Sequence, residues 1–312
     1  MSGLSASPNA AWAEGAPRLS VLVPYFRYDP SPLLDRLAAE AARLPAGEVE
    51  LVLLDDGGGD AALADAVDAR LAALPFAALG LRLAANEGRA KGRNRLAAAA
   101  RARHLLFLDC DMAPDAPDFL RRWLELVTTQ DPPLAFGGFS MAQAPVEPAT
   151  RLHRALQLRG ECAPAAVRRR TPEKYVFTSN LLVRRDVFEG EAFDESFAGW
   201  GWEDVEWGLR VARRFGVRHI DNSATHLGLD TPDALAAKYE QSAANFARVV
   251  AKSRAVVESY PSYRLARGLK RLPALRLWRP WLKRLALSPL APMIARIAAL
   301  KAYRAALYAE VV

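Results

Sequence analysis

Asp109-Cys110-Asp111 closes the apolar run HLLFLD with two carboxylates two positions apart. Strand alternation would point both to one side, as hard oxygen ligands are offered to Mg2+ or Mn2+ and through them to a diphosphate. A solvated turn ahead of Pro114 explains the same residues without a ligand. His226, in ATHLG after a predicted strand, is either an ordinary satisfied histidine or the imidazole that completes such a carboxylate site. A second cluster is FAGWGWEDVEW, from Phe197 to Trp207. Gly199, Trp200, Gly201 and Trp202 can form a flat aromatic wall on which the apolar faces of sugar rings or other planar groups rest. Alternatively the tryptophans plug a core, as Trp207 inside the following helix should. Glu203 and Asp204 fall at that helix's N-terminus, where the dipole keeps a carboxylate ionised. An ionised Asp beside an aromatic floor suits removal of a proton from a bound hydroxyl; Glu206, a turn further in, reads as structural.

Two further stretches carry polar chemistry. Asp55-Asp56-Gly57-Gly58-Gly59-Asp60 is either a plain turn or a place where Asp55 or Asp56 accepts hydrogen bonds from a nucleobase or ribose, with Asp60 as a helix N-cap. In NEGRAKGRN, residues 86–94, Arg89, Lys91 and Arg93 crowd the first turn of a helix. They oppose the dipole unless an anion lies close, or else they form a solvated basic face.

These residues need a scaffold, and the pattern supplies an open α/β sheet. Strands are expected over 19–24, 49–55, 79–84 and 104–109, with helices over 32–44, up to 72 and over 88–102 between them. Ligands of such sheets sit beyond the carboxyl ends of strands, which makes Asp55, Asp56, Asp109 and Asp111 candidates for one crevice. Past residue 113 the expectation is α+β: helices over 115–127, 150–159 and 205–215, strands over 134–140, 175–183 and 217–221, and helix over 231–259. The domain reading is a flexible leader over 1–17, an α/β body over 18–230 and a helical extension over 231–312. The leader lacks a basic start followed by an apolar run and does not read as a signal peptide.

The net charge of +7 is unevenly placed. Eleven of the 42 basic residues but only one of the 35 acidic ones, Glu310, lie within 261–312, leaving 31 basic and 34 acidic residues before it. A mildly acidic body argues against nucleic acid as a partner. The tail interleaves Arg and Lys with Leu, Trp and Tyr and is broken by prolines, so amphipathic helices on an anionic leaflet or a cap packed on the body both fit, whereas a membrane span does not. Two irregularly spaced cysteines, Cys110 and Cys162, suit a reducing compartment. The expected location is therefore the cytoplasm, with peripheral attachment at the inner face of the membrane.

Taken in order, LSVLVP with Tyr25 and Phe26, VLLDDG, Asn86-x-Gly88 with Arg93-Asn94, LFLDCD, TSNLLVRRD and FDESFxGWGxEDVE resemble glycosyltransferases of family 2. The last segment is similar to the Gly-Trp-Gly-x-Glu-Asp signature of β4-galactosyltransferase-like and bacterial chondroitin-polymerase-type domains. The resemblance implies a GT-A fold (nucleotide-diphospho-sugar transferase, Rossmann-like) with a C-terminal helical basic extension. It also implies inverting transfer from a nucleotide-diphospho-sugar, a UDP-sugar by preference, to a hydroxyl of a glycan or lipid-linked acceptor. By the same resemblance Pro24, Tyr25, Phe26, Asp55, Asp56, Arg93, Asn94, Asp109 and Cys110 would meet the donor. Asp109, Asp111 and His226 would hold Mn2+ or Mg2+, Asp204 would be the base, Glu203 would touch hydroxyls, and Trp200, Gly201 and Trp202 would carry the acceptor. Arg27, Gly59 and Gly92 depart from the family pattern. The rival expectation is an inactive nucleotide-sugar-binding or assembly subunit of a polysaccharide-synthesis system; a nucleotidyltransferase would want a basic glycine loop after the first strand, and only Arg27 follows Pro24.

Overall fold

The computed structural model describes residues 3–12, 15–258 and 260–312. These form strands β1 (Leu4–Pro8), β2 (Leu19–Tyr25), β3 (Val49–Asp55), β4 (Ala77–Leu83), β5 (His104–Leu108), β6 (Met112–Pro114), β7 (Leu134–Phe136), β8 (Phe139–Ser140), β9 (Asn180–Arg184), β10 (Arg218–His219) and β11 (Ala224–His226). The chain divides into two compact units. The first holds Met1–Ala144, Glu161–Glu195 and Trp207–Gly228; the second holds Pro145–Gly160, Ser196–Glu206 and Leu229–Val312.

All the strands lie in the first unit. An eight-stranded mixed sheet runs β1-β4-β3-β2-β5-β9-β7-β10, and β6-β11-β8 form a smaller one. β2, β3, β4 and β5 are mutually parallel. Successive residues of β2, β3 and β5 are buried whichever way they point, so both sheet faces are covered and the strands read as near-continuous apolar runs. Near the amino ends of β2 and β3 a polar residue interrupts each run, and the two answer each other. Ser20 lies opposite Glu50 and donates to it at 2.6 Å, while Glu50 accepts from the Arg101 N–H at 2.6 Å and its guanidinium at 2.7 Å. The helices Ser31–Ala41, Ala61–Ala72 and Arg89–Ala99 connect these strands. Because β3 and β4 lie on one side of β2 and β5 on the other, the carboxyl ends of β2 and β5 flank the switch point where open α/β sheets take ligands.

Three expectations are corrected. Part of the leader is an edge strand: β1 pairs antiparallel with β4 from Leu4 opposite Leu83 to Pro8 opposite Leu79, because the open ladder of β4 selects it although its own sequence is only weakly strand-forming. The strand expected over 134–140 breaks at Gly137-Gly138, where Gly138 has φ +117°; β7 stays in the large sheet and β8 joins the small one. The strand expected from 175 starts at Asn180, after a 3-10 turn at Pro172–Lys174 and a second turn that the Asn180 N–H closes on the Phe177 carbonyl at 3.5 Å.

The second unit is helical: Arg151–Gly160, Pro232–Val257 with a kink at Ser253, Pro261–Leu269, Leu275–Leu287 and Met293–Ala309. Its aromatic centre is the Phe246–Tyr308 stack, with ring centroids 4.1 Å apart. Among the described residues no helix is long and apolar enough to cross a membrane.

Candidate active site

At the end of β2 consecutive aromatics point to opposite sides and meet different surroundings before the chain turns at Arg27, which has φ +53°. Tyr25 is buried, whereas Phe26 is 43% exposed with the Arg27 guanidinium 5.0 Å from its ring centroid. Burial, and then the charge of Asp55, push the Tyr25 phenol well above its usual value. Asp55 caps the following turn by accepting from the Gly58 N–H at 2.9 Å, and Arg82 approaches it at 3.9 Å. Tyr25, Asp55 and Arg82 line a small polar cavity of about 70 Å3 together with Ser5, Ser7 and Asp68; neither Asp109, Asp111 nor His226 belongs to its wall.

Asp56 is tied to the loop after β4. It accepts from Asn86 Nδ2 at 2.9 Å, the Glu87 N–H at 2.9 Å and the Gly88 N–H at 3.2 Å. Burial nevertheless holds its carboxyl above the ordinary value, outweighing those donors. Gly57 makes the close approach feasible: it has φ +68°, and a Cβ there would lie 2.3 Å from the Ala85 carbonyl carbon. Both aspartates thus fix the loops at the carboxyl end of the sheet.

β5 ends at Leu108, and Asp109-Cys110-Asp111 is a turn closed by the Met112 N–H on the Asp109 carbonyl at 3.1 Å. Strand alternation therefore does not apply, and the two carboxylates go different ways. Asp109 Oδ1 accepts from the buried Arg93 at 2.9 Å. Asp111 Oδ2 lies 3.0 Å from His226 Nε2, brought there by β11 running antiparallel to β6 with His226 opposite Met112. Burial opposes both charges, but the hydrogen bond and attraction between the partners hold the His226 imidazole above its ordinary value and the Asp111 carboxyl below its own. Cys110 sits half-buried between them, and burial pushes its thiol far up.

The donor set fits a hard divalent ion in part. A carboxylate oxygen and an imidazole nitrogen meet at one point, in space that Gly228 leaves open: a Cβ at 228 would lie 2.1 Å from Asp111 Oδ2. Asp109 does not converge with them, and among the described residues no three His, Cys, Asp or Glu side chains gather around one centre. The expected three-ligand set is thereby reduced to Asp111 and His226, because Arg93 claims Asp109. Sequence reading also passed over Gly228 and Tyr28. The Tyr28 phenol is pushed up by burial and then by the charge of Asp111. A glycine two residues after the histidine was the available signal for the first; an aromatic outside the strand gave none for the second. Asn94 meets the chain rather than open space, exchanging two 3.0 Å hydrogen bonds with the Phe193 backbone.

In the second unit the loop that carries Trp200 and Trp202 is held from behind. Asn245 Nδ2 donates to the Ala198 and Gly201 carbonyls, both at 2.9 Å. Gly199, Gly201 and Trp202 all have positive φ, +73°, +88° and +76°; for Trp202 this is a strained backbone that its surroundings enforce. Trp202 donates to Tyr308 Oη at 2.9 Å and packs 4.8 Å from the Phe246 ring. Both tryptophans are half-buried; Trp202 is held by those two partners, while Trp200 lies 6.1 Å from the Tyr239 ring with the Lys238 ammonium 5.9 Å from its own centroid. Glu203 is buried and Asp204 half-buried at the start of the helix Glu203–Phe215, where N–H groups and dipole favour an ionised carboxylate. Asp204 Oδ1 accepts from the Val205 N–H at 2.8 Å.

The sequence pattern of Glycosyl transferase family 2 matches residues 20–190, more than half of the 312 residues. No curated protein matches the chain significantly. Among solved structures it is similar to the mannosyltransferase PcManGT from Pyrobaculum calidifontis in complex with GDP-Man and Mn2+, with TM-score 0.59 and 16% identity over 96% of this chain and 88% of that one. It is also similar to residues 1–349 of S. aureus TarS, with TM-score 0.56 and 16% identity over 92% and 89% of the two chains. The same TarS segment in complex with UDP-GlcNAc gives 0.51 and 15% over the same shares. At such identities the likeness establishes the fold, a GT-A-like mixed central sheet with C-terminal helices. With its family pattern spanning the sheet from β2 to β9, the chain belongs to glycosyltransferase family 2, enzymes that transfer a sugar from a nucleotide-sugar donor.

Proposed function

We propose that the protein is an inverting, divalent-metal-dependent glycosyltransferase that moves a sugar from a UDP-sugar to a hydroxyl of a glycan or lipid-linked acceptor. The observation that carries this reading is the Asp111–His226 pair, 3.0 Å apart, beyond the carboxyl end of β5 in a family 2 sheet. Asp111 and His226 would hold Mn2+ or Mg2+, with the donor diphosphate and water completing the shell; a bound ion would neutralise charge on the departing diphosphate. The PcManGT complex with GDP-Man and Mn2+ and the TarS complex with UDP-GlcNAc support the choice of ion and of donor class. Arg93 holds Asp109 in place at the donor end. The exposed Phe26 offers a face for the base, and Asp55 and Asp56 fix the loops around it.

Asp204, ionised at its helix N-terminus, takes the proton from the attacking hydroxyl. One base acting opposite the leaving group gives inversion, and no carboxylate nucleophile is required. Trp200 serves as the acceptor floor, and buried Glu203 orients hydroxyls or the loop itself. The GWGxED segment is thereby assigned the role it has in the domains it resembles. The workplace we assign is the cytoplasm, at the inner face of the membrane. The test is a panel of UDP- and GDP-sugars with Mn2+, read as nucleoside diphosphate release and as protection against thermal unfolding. Release from one donor that chelator abolishes supports the reading. Binding of a donor without turnover over any acceptor would make the chain a carrier or assembly subunit instead.

A further inference from the structure

The helix Leu275–Leu287 presents two unlike faces. One is fastened within its own unit: Ala286 is fully buried, Arg279 reaches Glu310 at 2.9 Å, and Lys283 reaches Glu240 at 2.8 Å. The other carries Leu277, Trp278, Trp281 and Leu285, exposed to 73%, 63%, 64% and 44%. Spacings of one, three and four residues put these four on one stripe. The apolar exposure continues along the chain, with Leu290 at 94% and Ile294 at 75%. Large apolar side chains gathered this way on a water-facing helix mark an interaction surface.

The charge around the stripe chooses the partner. Residues 261–312 hold eleven Lys or Arg and a single acid, Glu310, and that acid is already bound by Arg276 and Arg279. Arg264, Arg267, Lys270, Arg271, Arg284 and Lys301 are exposed, and the Arg284 guanidinium lies 5.3 Å from the Trp281 ring centroid. Leu and Ile offer nothing for nucleobases to stack on, whereas tryptophans at the level of lipid headgroups beside basic side chains match an anionic bilayer surface. We propose that this stripe inserts shallowly into an anionic phospholipid leaflet, with the indoles of Trp278 and Trp281 as anchors. The inference locates the membrane contact suggested above on one helix face and does not depend on the transferase chemistry.

The test uses the full chain with vesicles of phosphatidylcholine alone and of phosphatidylcholine with phosphatidylglycerol in equal parts, followed by co-sedimentation and tryptophan emission. Each basic residue near such a surface is worth about fivefold in binding. Partition should therefore be at least about tenfold stronger on the anionic vesicles, should weaken about tenfold from 0.1 to 0.5 M salt, and should blue-shift the emission. The variant Leu277→Ser/Trp278→Ser/Trp281→Ser should melt within about 2 °C of the parent, because these side chains are solvated, and should lose binding about tenfold or more. Absence of binding to anionic vesicles overturns the proposal, as does undiminished binding of the triple variant. So does a concentration-dependent dimer of the parent that the variant lacks, since a second copy would then be the occupant. Nucleoside diphosphate release in solution reads the transferase assignment separately, so the two can fail independently.

Discussion

Replacing Gly228 by alanine should damage catalysis while sparing the fold. The added Cβ would stand 2.1 Å from Asp111 Oδ2 and 2.9 Å from its carboxyl carbon, where real Cβ contacts essentially never fall below 3.0 Å. The carboxylate has to retreat by about 1 Å, and a displacement of that size at a positioned group costs about 100-fold in rate, or about 2.7 kcal/mol in the barrier. Stability is affected far less. The Asp111–His226 bond lies at 22% and 16% side-chain exposure, so weakening it costs about 1 kcal/mol, a melting shift of about 2–4 °C. The assay is nucleoside diphosphate release across a Mn2+ titration, run beside thermal unfolding. The expected signature is a drop of about 100-fold with a raised metal requirement and a nearly unchanged melt. Turnover within threefold of the parent would refute the idea that Asp111 must sit against His226.

Two further predictions concern the scaffold. Glu50→Ala removes the fully buried acceptor of Ser20, the Arg101 N–H and the Arg101 guanidinium. It should cost about 3 kcal/mol, short of the full penalty for a broken buried pair because Arg101 reaches solvent, and should leave turnover at room temperature intact because the site lies at the other end of β3; denaturant unfolding measures it, and a loss under 1 kcal/mol would contradict it. His219 is buried and accepts at Nδ1 from Arg168 Nε at 3.3 Å, so Nε2 carries the proton and donates to the Pro172 carbonyl at 3.2 Å. Burial lowers its pKa to about 4 from 6.5. The unfolded chain then takes up a proton that the folded chain refuses, so stability should fall by on the order of 3 kcal/mol as pH drops from about 6.5 to about 4. His219→Gln should flatten that part of the profile in denaturant melts, and a variant with the parent's slope between pH 5 and 6.5 would count against it.

The elements that sequence reading placed well are those whose physics is local. The central strands announce themselves as unbroken apolar runs, Asp60 caps its helix by accepting from Leu63 at 3.0 Å, Gly216 ends another at φ +70°, and Trp207 is fully buried. The misplacements have non-local causes. β1 exists because β4 has an open edge. Asp109 and Asp111 diverge because β5 stops at Leu108, one residue before the alternation that would have aligned them. Trp202 looked like part of a binding wall beside Trp200, but Tyr308 and Phe246, more than 40 residues further on, claim its ring. Nothing in the local spelling of GWGW separates the two tryptophans; the distinction is made by helices that the motif does not contain.

The central claim, that this chain moves sugar with Asp204 as proton acceptor at a metal-dependent donor site, is tested most directly on Asp204→Asn. With the preferred nucleotide sugar and Mn2+, calorimetry should give donor affinity within twofold of the parent. Turnover to acceptor should meanwhile fall by about 100-fold or more, the size of a lost general base. Retained turnover, or donor affinity and turnover lost together, would contradict the account.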